Sequence, residues 1–528
     1  MREIGAATLQ HLLDSGSTLA LLDVREHGEY NPAHIPGATS LPRRLIEHRI
    51  RQLVPGRQTQ VVLYDNTGLR ARLAAKTLER LGYERVAVLD GGLNGWASDN
   101  RPTEWGMNVP SKDFGEKVEV QAHVPSIEAR ELAAWIARGD DLVILDTRTP
   151  EEFGRFCIPG GRSVPNGELP YRIAEIQRER PSARVVVNCA GRTRSIIGTR
   201  TLQRMGLKDV VGLKNGTSGW VLAGLQLESG ADRVHLPEPS SETRAQAEAF
   251  ARRVMDEDGV QTLTPAQVAE LQARDDGSSV YLIDVRTQAE YEAGHIPGFW
   301  WFPGGQVVQR SDDAVAVRNG TVVLTCDGIA RAGVTASWLR QLGFPNVYVL
   351  DGGTAAWTAS GRQLEAGPAE PQPAGFVEAQ ARVRPLDPHA LASLLKTPGP
   401  PMVLHVGTSR EFAGGHVPGA HWLPRGWLEP RLEALVPDWT EPIVVTSPDG
   451  VDATLAAATV LDLGYHEVTV LAGGTRAWAA AGLPLERGLT GVMDPPDDVV
   501  PAGPERSHAD MIEYLRWEEA LGQKYAPA

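Results

Sequence analysis

The 528-residue sequence predicts an α/β protein of four tandem domains, each a mainly parallel sheet flanked by helices, arranged as a duplicated two-domain unit. Three observations predict it. Apolar, β-branched runs alternate with amphipathic helix-like segments; one stretch of text recurs four times; and one spacing survives in every copy. At about 100 to 200 residues per domain, the length also allows roughly three to five domains with separate cores.

In chain order, the first copy reads Leu19-Ala20-Leu21-Leu22-Asp23-Val24-Arg25, then Glu29-Tyr30, then His34-Ile35-Pro36-Gly37-Ala38. The second runs from Leu142 to Arg148, with Glu152-Phe153 and Cys157-Ile158-Pro159-Gly160. The third runs from Tyr281 to Arg286, with Glu290-Tyr291 and His295-Ile296-Pro297-Gly298. The fourth, Met402 to Gly407 with Glu411-Phe412 and His416-Val417-Pro418-Gly419, is partly eroded. Each copy continues through an apolar strand, a short loop, an amphipathic helix, another strand and a Gly-rich turn ending at Trp96, Trp220, Trp357 or Trp478. The loop residue is Asp65, Cys189, Cys326 or Ser447, and the tryptophan follows it by 31 residues each time (96−65, 220−189, 357−326, 478−447). Units of about 120 residues are domains rather than solenoid repeats.

The expected boundaries are 1–110, 111–235, 236–370 and 371–488, followed by an acidic tail with a C-terminal helix over 489–528. Copy three follows copy one by 261 residues (326−65), and copy four follows copy two by 258 (447−189). Each half so defined pairs one cysteine copy with one cysteine-less copy. Pro-rich and charged stretches near Glu242 to Met255 and Ser507 to Leu521 mark the junctions.

A net charge of −14 with well-mixed charges argues against a nucleic-acid or anionic-membrane surface. No apolar run approaches the roughly 18 residues of a membrane span, and Met1-Arg2-Glu3-Ile4-Gly5 leads into a polar segment, so the expected location is the cytoplasm. Cys157, Cys189 and Cys326 lie too far apart in sequence for a metal knuckle and do not suit a disulfide framework, which implies free thiols in a reducing compartment.

The chemistry concentrates at Val185-Val186-Val187-Asn188-Cys189-Ala190-Gly191-Arg192-Thr193-Arg194-Ser195, which reads as strand, tight loop and helix. A thiol at that turn sits where backbone N–H groups and a helix N-terminus converge, which favours its thiolate and binds anions. Arg192 and Arg194 add charge suited to an oxyanion. Cys326 is weaker, because Asp327 adjoins it and only Arg331 lies in its loop. A like charge at ~4 Å costs a thiolate about 4 kcal/mol at a protein-surface dielectric. The Asp23/Arg25, Asp146/Arg148 and Asp284/Arg286 pairs read as strand-end structure. His34, His295 and His416 read as turn supports, with no metal site, and Cys157 reads as a buried structural thiol. Phe299-Trp300-Trp301-Phe302 reads as packing between domains.

These features (Asp-x-Arg, His-Ile-Pro-Gly-Ala, a strand ending in Cys, a loop closing with Arg, and Gly-Gly-x-x-x-Trp) resemble the rhodanese sulfurtransferase family over nearly the whole chain. The resemblance implies a loop cysteine that takes a sulfane sulfur as a persulfide and passes it to a nucleophile, without a cofactor. Carried over by position, it points to Cys189 and Cys326 as nucleophiles. It gives substrate-binding roles to Ala190, Gly191, Arg192, Thr193, Arg194 and Arg331. The implied partners are a small anionic donor such as thiosulfate and a thiol or cyanide acceptor, the thiol being a small molecule or a protein. Asp65 and Ser447 cannot form a persulfide, and Asp452 stands where Arg194 stands in copy two. Copies one and four are therefore expected to be structural or acceptor-shaping. A non-catalytic scaffold, or a sulfur-carrier or persulfide-sensing protein, is the alternative. A phosphatase loop would need Cys-x5-Arg, and Cys189 to Arg194 is one residue short.

Overall fold

The computed structural model describes residues 2–274 and 277–526; Met1, where the N-terminal reading begins, and the last two residues of the expected tail lie outside them. Each copy folds as a five-stranded sheet whose strand pairs are all parallel, flanked by helices. In copy two the order across the sheet is Ser126–Ile127, Val210–Leu213, Arg184–Asn188, Leu142–Asp146, Arg162–Ser163. The valine run explains why this strand is central. Val185 and Val187 enter one core with Leu145, Leu169, Ile173 and Leu202, while Val186 enters the opposite core with Ile127, Leu132, Ile144 and Trp220. A strand with both faces covered needs an uninterrupted apolar run, and each buried aliphatic side chain contributes about 1.5 to 3 kcal/mol.

The chain leaves the Leu142–Asp146 strand toward one edge and the Arg184–Asn188 strand toward the other. Their carboxyl ends, Asp146 and Asn188, are paired in register and joined by a 3.1 Å side-chain hydrogen bond. Crevices in open α/β sheets form at such a reversal, and Cys189 is the next residue.

Repeated residues hold the ends of the strands. Arg148 donates to both oxygens of Asp146 and to the Phe156 carbonyl; Arg25 does the same with Asp23 and Ala33, and Arg286 with Asp284 and Gly294. These pairs are structural. His34, His295 and His416 stack on Tyr30, Tyr291 and Phe412 at 3.7 to 3.8 Å and bond the carbonyl four residues back. Cys157 takes the histidine place, fully buried, with its thiol pushed up to about 11 by burial and then by Glu228. The aromatic run serves its own domain instead of a domain boundary: Phe299 joins the copy-three core, Trp300–Trp301 is the edge strand, and Trp301 Nε1 donates to the Arg286 carbonyl at 2.9 Å.

The four domains assemble into two compact units, Met1–Met107 with Pro371–Val500, and Asn108–Glu370 with Pro501–Ala528. Copy one thus packs with copy four, and copy two with copy three. The sequence period marks the duplication but not the pairing, because an odd copy packs on an even one under either arrangement. In one unit Arg331 of copy three pairs with Glu168 of copy two at 2.9 Å. In the other, the corresponding Arg70 lies 4.0 Å over the ring of Trp427, the residue in the place of Glu168. Both cysteine loops therefore share one unit, and both cysteine-less loops share the other.

Two further helices complete the cysteine unit. The linker helix Val109–Ala122 packs on Thr193–Arg204, the helix that follows the Cys189 loop, and the C-terminal helix His508–Gly522 packs on the linker helix. Tyr525 Oη and Lys524 Nζ, just beyond it, both reach Asp113 at 2.7 Å. No helix among the described residues is long and apolar enough to cross a membrane.

Candidate active site

The Cys189 loop is held from behind by its Gly-rich turn. Thr217 N–H donates to the Cys189 carbonyl at 2.9 Å, and Ser218 donates to the Ala190 carbonyl through N–H and Oγ at 3.0 and 2.8 Å. Gly216 has φ +50°, and a Cβ there would meet the Cys189 oxygen at 2.1 Å. Gly92, Gly353 and Gly474 face the carbonyls of Asp65, Cys326 and Ser447 in the same way, at 2.3, 2.1 and 2.0 Å. Close backbone approach, with positive φ, is why the repeat keeps a glycine there.

The other copies show what the front of the loop binds. Asp65 accepts the N–H of Thr67 at 3.0 Å, of Arg70 at 2.6 Å, and of Gly68. Ser447 Oγ accepts the N–H groups of Gly450 and Ala453, both at 3.1 Å. The loop is therefore a cradle of backbone donors around the residue at the strand end, and in copy one it holds a carboxylate. Helix Thr193–Arg204 has no side-chain N-cap, which leaves its first-turn donors for this role. Cys189 is 2% exposed, and its Sγ lies 3.7 Å from Ser195 Oγ, which in turn donates to the Arg192 carbonyl at 2.8 Å.

Both loop arginines are bonded to carboxylates. Arg194 makes a two-pronged bond to Glu152, at 2.7 and 2.9 Å. Burial alone would push Glu152 up, but Arg194 and the Thr149 N–H hold it at about 2. Arg70 grips Glu29 and Arg331 grips Glu290 in the same manner, so this arginine ties the loop to the preceding capping helix. Arg192 turns outward to Glu116, Glu119 and Glu519, carboxylates supplied by the linker and C-terminal helices. Thr193 Oγ1 donates to Glu518 at 3.0 Å, and a Cβ on Gly191 would lie 3.4 Å from Glu518 and 3.7 Å from Tyr514. The C-terminal helix thus covers the outer side of the loop, with Gly503 close to Ala190.

Cys326 is differently placed. It is fully buried, and its thiol is pushed up to about 12, first by burial and then by Asp327, against Arg331 and the N–H groups of Ala332 and Gly328. Arg331, itself fully buried, is shared among Glu290, Glu168 and Asp327, with Tyr171 4.6 Å beneath it. A cavity of about 460 Å³ lies over this loop, lined by Tyr171, Arg244, Asp327 and Ala356 among others, but Cys326 does not line it. Burial and Asp327 both disfavour the Cys326 thiolate, whereas the residue next to Cys189 is the neutral Ala190.

Sequence reasoning pointed to the cysteines, the loop and the arginines, but not to the side chains packed around that loop: Glu152, Glu116, Glu518 and Tyr514. Glu152 had a readable signal, an acidic residue 41 or 42 positions before the loop arginine in three copies (70−29, 194−152, 331−290). The others come from segments outside the repeat and had none. No group of three or more His, Cys, Asp or Glu able to hold a metal occurs among the described residues.

Comparison with known proteins agrees with this geometry. The rhodanese-like domain family model matches residues 5–99, 128–223, 264–360 and 387–481. A crystal structure of a thiosulfate sulfurtransferase from Pseudomonas aeruginosa is similar over 99% of this chain and 98% of that one, with 41% identity and a TM-score of 0.89. A putative thiosulfate sulfurtransferase, SseB, of Mycobacterium tuberculosis is 28% identical over 31% of this chain and 71% of its own length. A putative sulfur carrier protein, YrkF, of Bacillus subtilis is 32% identical over 18% of this chain, which spans 50% of that relative. Four sheets of one topology, four glycines pressed on the strand-end carbonyl and four family matches lead to one conclusion: the chain belongs to the rhodanese-like domain family, in four tandem copies.

Proposed function

We propose that the protein is a sulfurtransferase that carries a sulfane sulfur on Cys189, with thiosulfate or a related oxyanion as donor and a thiol or cyanide as acceptor. One observation carries the reading: Cys189 occupies the strand-end position at which, in copy one, loop N–H groups hold the anionic side chain of Asp65. The likeness to a structure named thiosulfate sulfurtransferase supports the choice of donor.

The Cys189 thiolate attacks the outer sulfur of thiosulfate. The S–S bond of the donor breaks, sulfite leaves with the electron pair, and a Cys189 persulfide anion remains. Loop N–H groups hold that anion as they hold the Asp65 carboxylate. An acceptor thiolate or cyanide then attacks the terminal sulfur and releases the Cys189 thiolate. Cys326 has no part in this cycle. Copies one and four support the fold, since Asp65 fills its own cradle and Ser447 offers only a hydroxyl. Three free cysteines fit a cytoplasmic setting, which fractionation of the host cell tests.

Incubation with thiosulfate is expected to add one sulfur atom to the Cys189 peptide in mass spectra, and Cys189→Ser to abolish thiosulfate–cyanide turnover. Undiminished turnover in that variant would refute the assignment.

A further inference from the structure

Resting on the reading of Cys189 as a thiosulfate-class sulfur carrier, we propose that Lys112 of the linker helix binds the oxyanion end of the donor. A thiosulfate dianion needs positive charge beside the cradle, and the loop arginines are committed to Glu152 and to Glu116 and Glu119. Lys112 lies one turn before Gly115 and Glu116 on the same helix face. Gly115 approaches the loop so closely that a Cβ would meet Thr193 Cγ2 at 2.9 Å, and Glu116 bonds Arg192. That face therefore points at the Cys189 loop.

The ammonium group is buried without a direct ion pair among the described residues, and Lys112 is 6% exposed. Its Nζ sits 4.9 Å from the Tyr514 ring centroid and 5.3 Å from that of Trp517, and Tyr514 is the ring that reaches Gly191. Arg506, which donates to the Pro501 carbonyl at 2.9 Å and makes no ion pair among the described residues, stacks on Tyr514 at 4.0 Å. Ring faces attract cations without pairing their charge, and Glu518 acts on both from beyond ion-pair distance, so the two form a cationic patch beside the loop. Burial lowers Lys112 to about 8, with Glu518 and Asp312 opposing and Arg506 and Arg194 adding to the shift. An ammonium in that state is completed by an incoming anion. In the transfer step it stabilises the charge that gathers on the departing sulfite.

The test compares two donors on the full-length protein by following sulfur on Cys189: thiosulfate, and 2-hydroxyethyl persulfide, which has no oxyanion. With Lys112→Met the thiosulfate KM should rise about ten-fold, the effect of one charge-assisted contact. Lys112→Arg should restore most of it, and loading from 2-hydroxyethyl persulfide should stay within about two-fold of wild type. Thermal melting checks the fold, and Lys112→Gln decides if the Met variant does not fold. An unchanged thiosulfate KM, or an equal loss with both donors, overturns the role of Lys112 while Cys189 still loads. If wild-type Cys189 takes sulfur from neither donor, the sulfurtransferase reading itself falls.

Discussion

Replacing Asp65 by cysteine in a Cys189→Ser, Cys326→Ser background asks whether the cradle alone makes a sulfur site. Asp65 accepts three backbone N–H groups, and charge-assisted bonds of this kind are worth about 1.5 to 3 kcal/mol each, so its loss should cost several kcal/mol of local stability. A thiolate recovers part of that. At about 1 kcal/mol of preference per N–H for sulfur, three donors lower the new thiol by about two pKa units, and burial opposes them. The neighbour is the neutral Asn66, where Cys326 has Asp327. Arg70 stays bonded to Glu29, so thiosulfate should label position 65 about ten-fold or more weakly than wild-type Cys189. Ser447→Cys has the cradle but not the loop arginine: Asp452 replaces it and bonds His48, and burial drives His405 down to about 3, leaving it uncharged. Sulfane-sulfur labelling with mass detection reads both variants. Strong thiosulfate labelling at 447, or no labelling at 65 by either thiosulfate or 2-hydroxyethyl persulfide, would refute the reasoning.

Two further outcomes follow from the same contacts. Glu152 and Glu290 are both held at about 2, against burial, by Arg194 and Arg331, below the ordinary value of 4.5. Depressed carboxyls contribute stability that is complete above about pH 4.5 and is lost as pH falls toward 2, on the order of 1 kcal/mol each after solvent screening. Urea unfolding at pH 5 and pH 3 should show this, and Glu290→Gln should remove its share of the slope. Iodoacetamide at pH 8 should modify Cys326 and Cys157 far more slowly than a free thiol, since burial pushes them to about 12 and about 11, and Cys326→Ser should leave turnover unchanged. Rapid alkylation of Cys326 in the folded protein would contradict its burial.

The four-fold repeat, the parallel α/β class and the strand-end loop were legible in the sequence because local rules write them: an unbroken valine run, a turn glycine forced by a carbonyl about 2 Å away, and an i+31 tryptophan. Cys189 was legible for the same reason, as the residue after a central strand. Three matters were decided only in three dimensions. A repeat period records how the chain was duplicated, whereas packing depends on which surfaces meet, so the pairing of copies two and three had no linear signature. The partners of Arg192 and Arg194 were hidden because a guanidinium's role depends on the nearest carboxylate, and Glu116 and Glu119 arrive from a linker outside the repeat. Lys112 and Tyr514 were hidden for the same reason: they lie roughly 80 residues before and 300 after the loop they flank, and only the folded linker and C-terminal helix bring them to it.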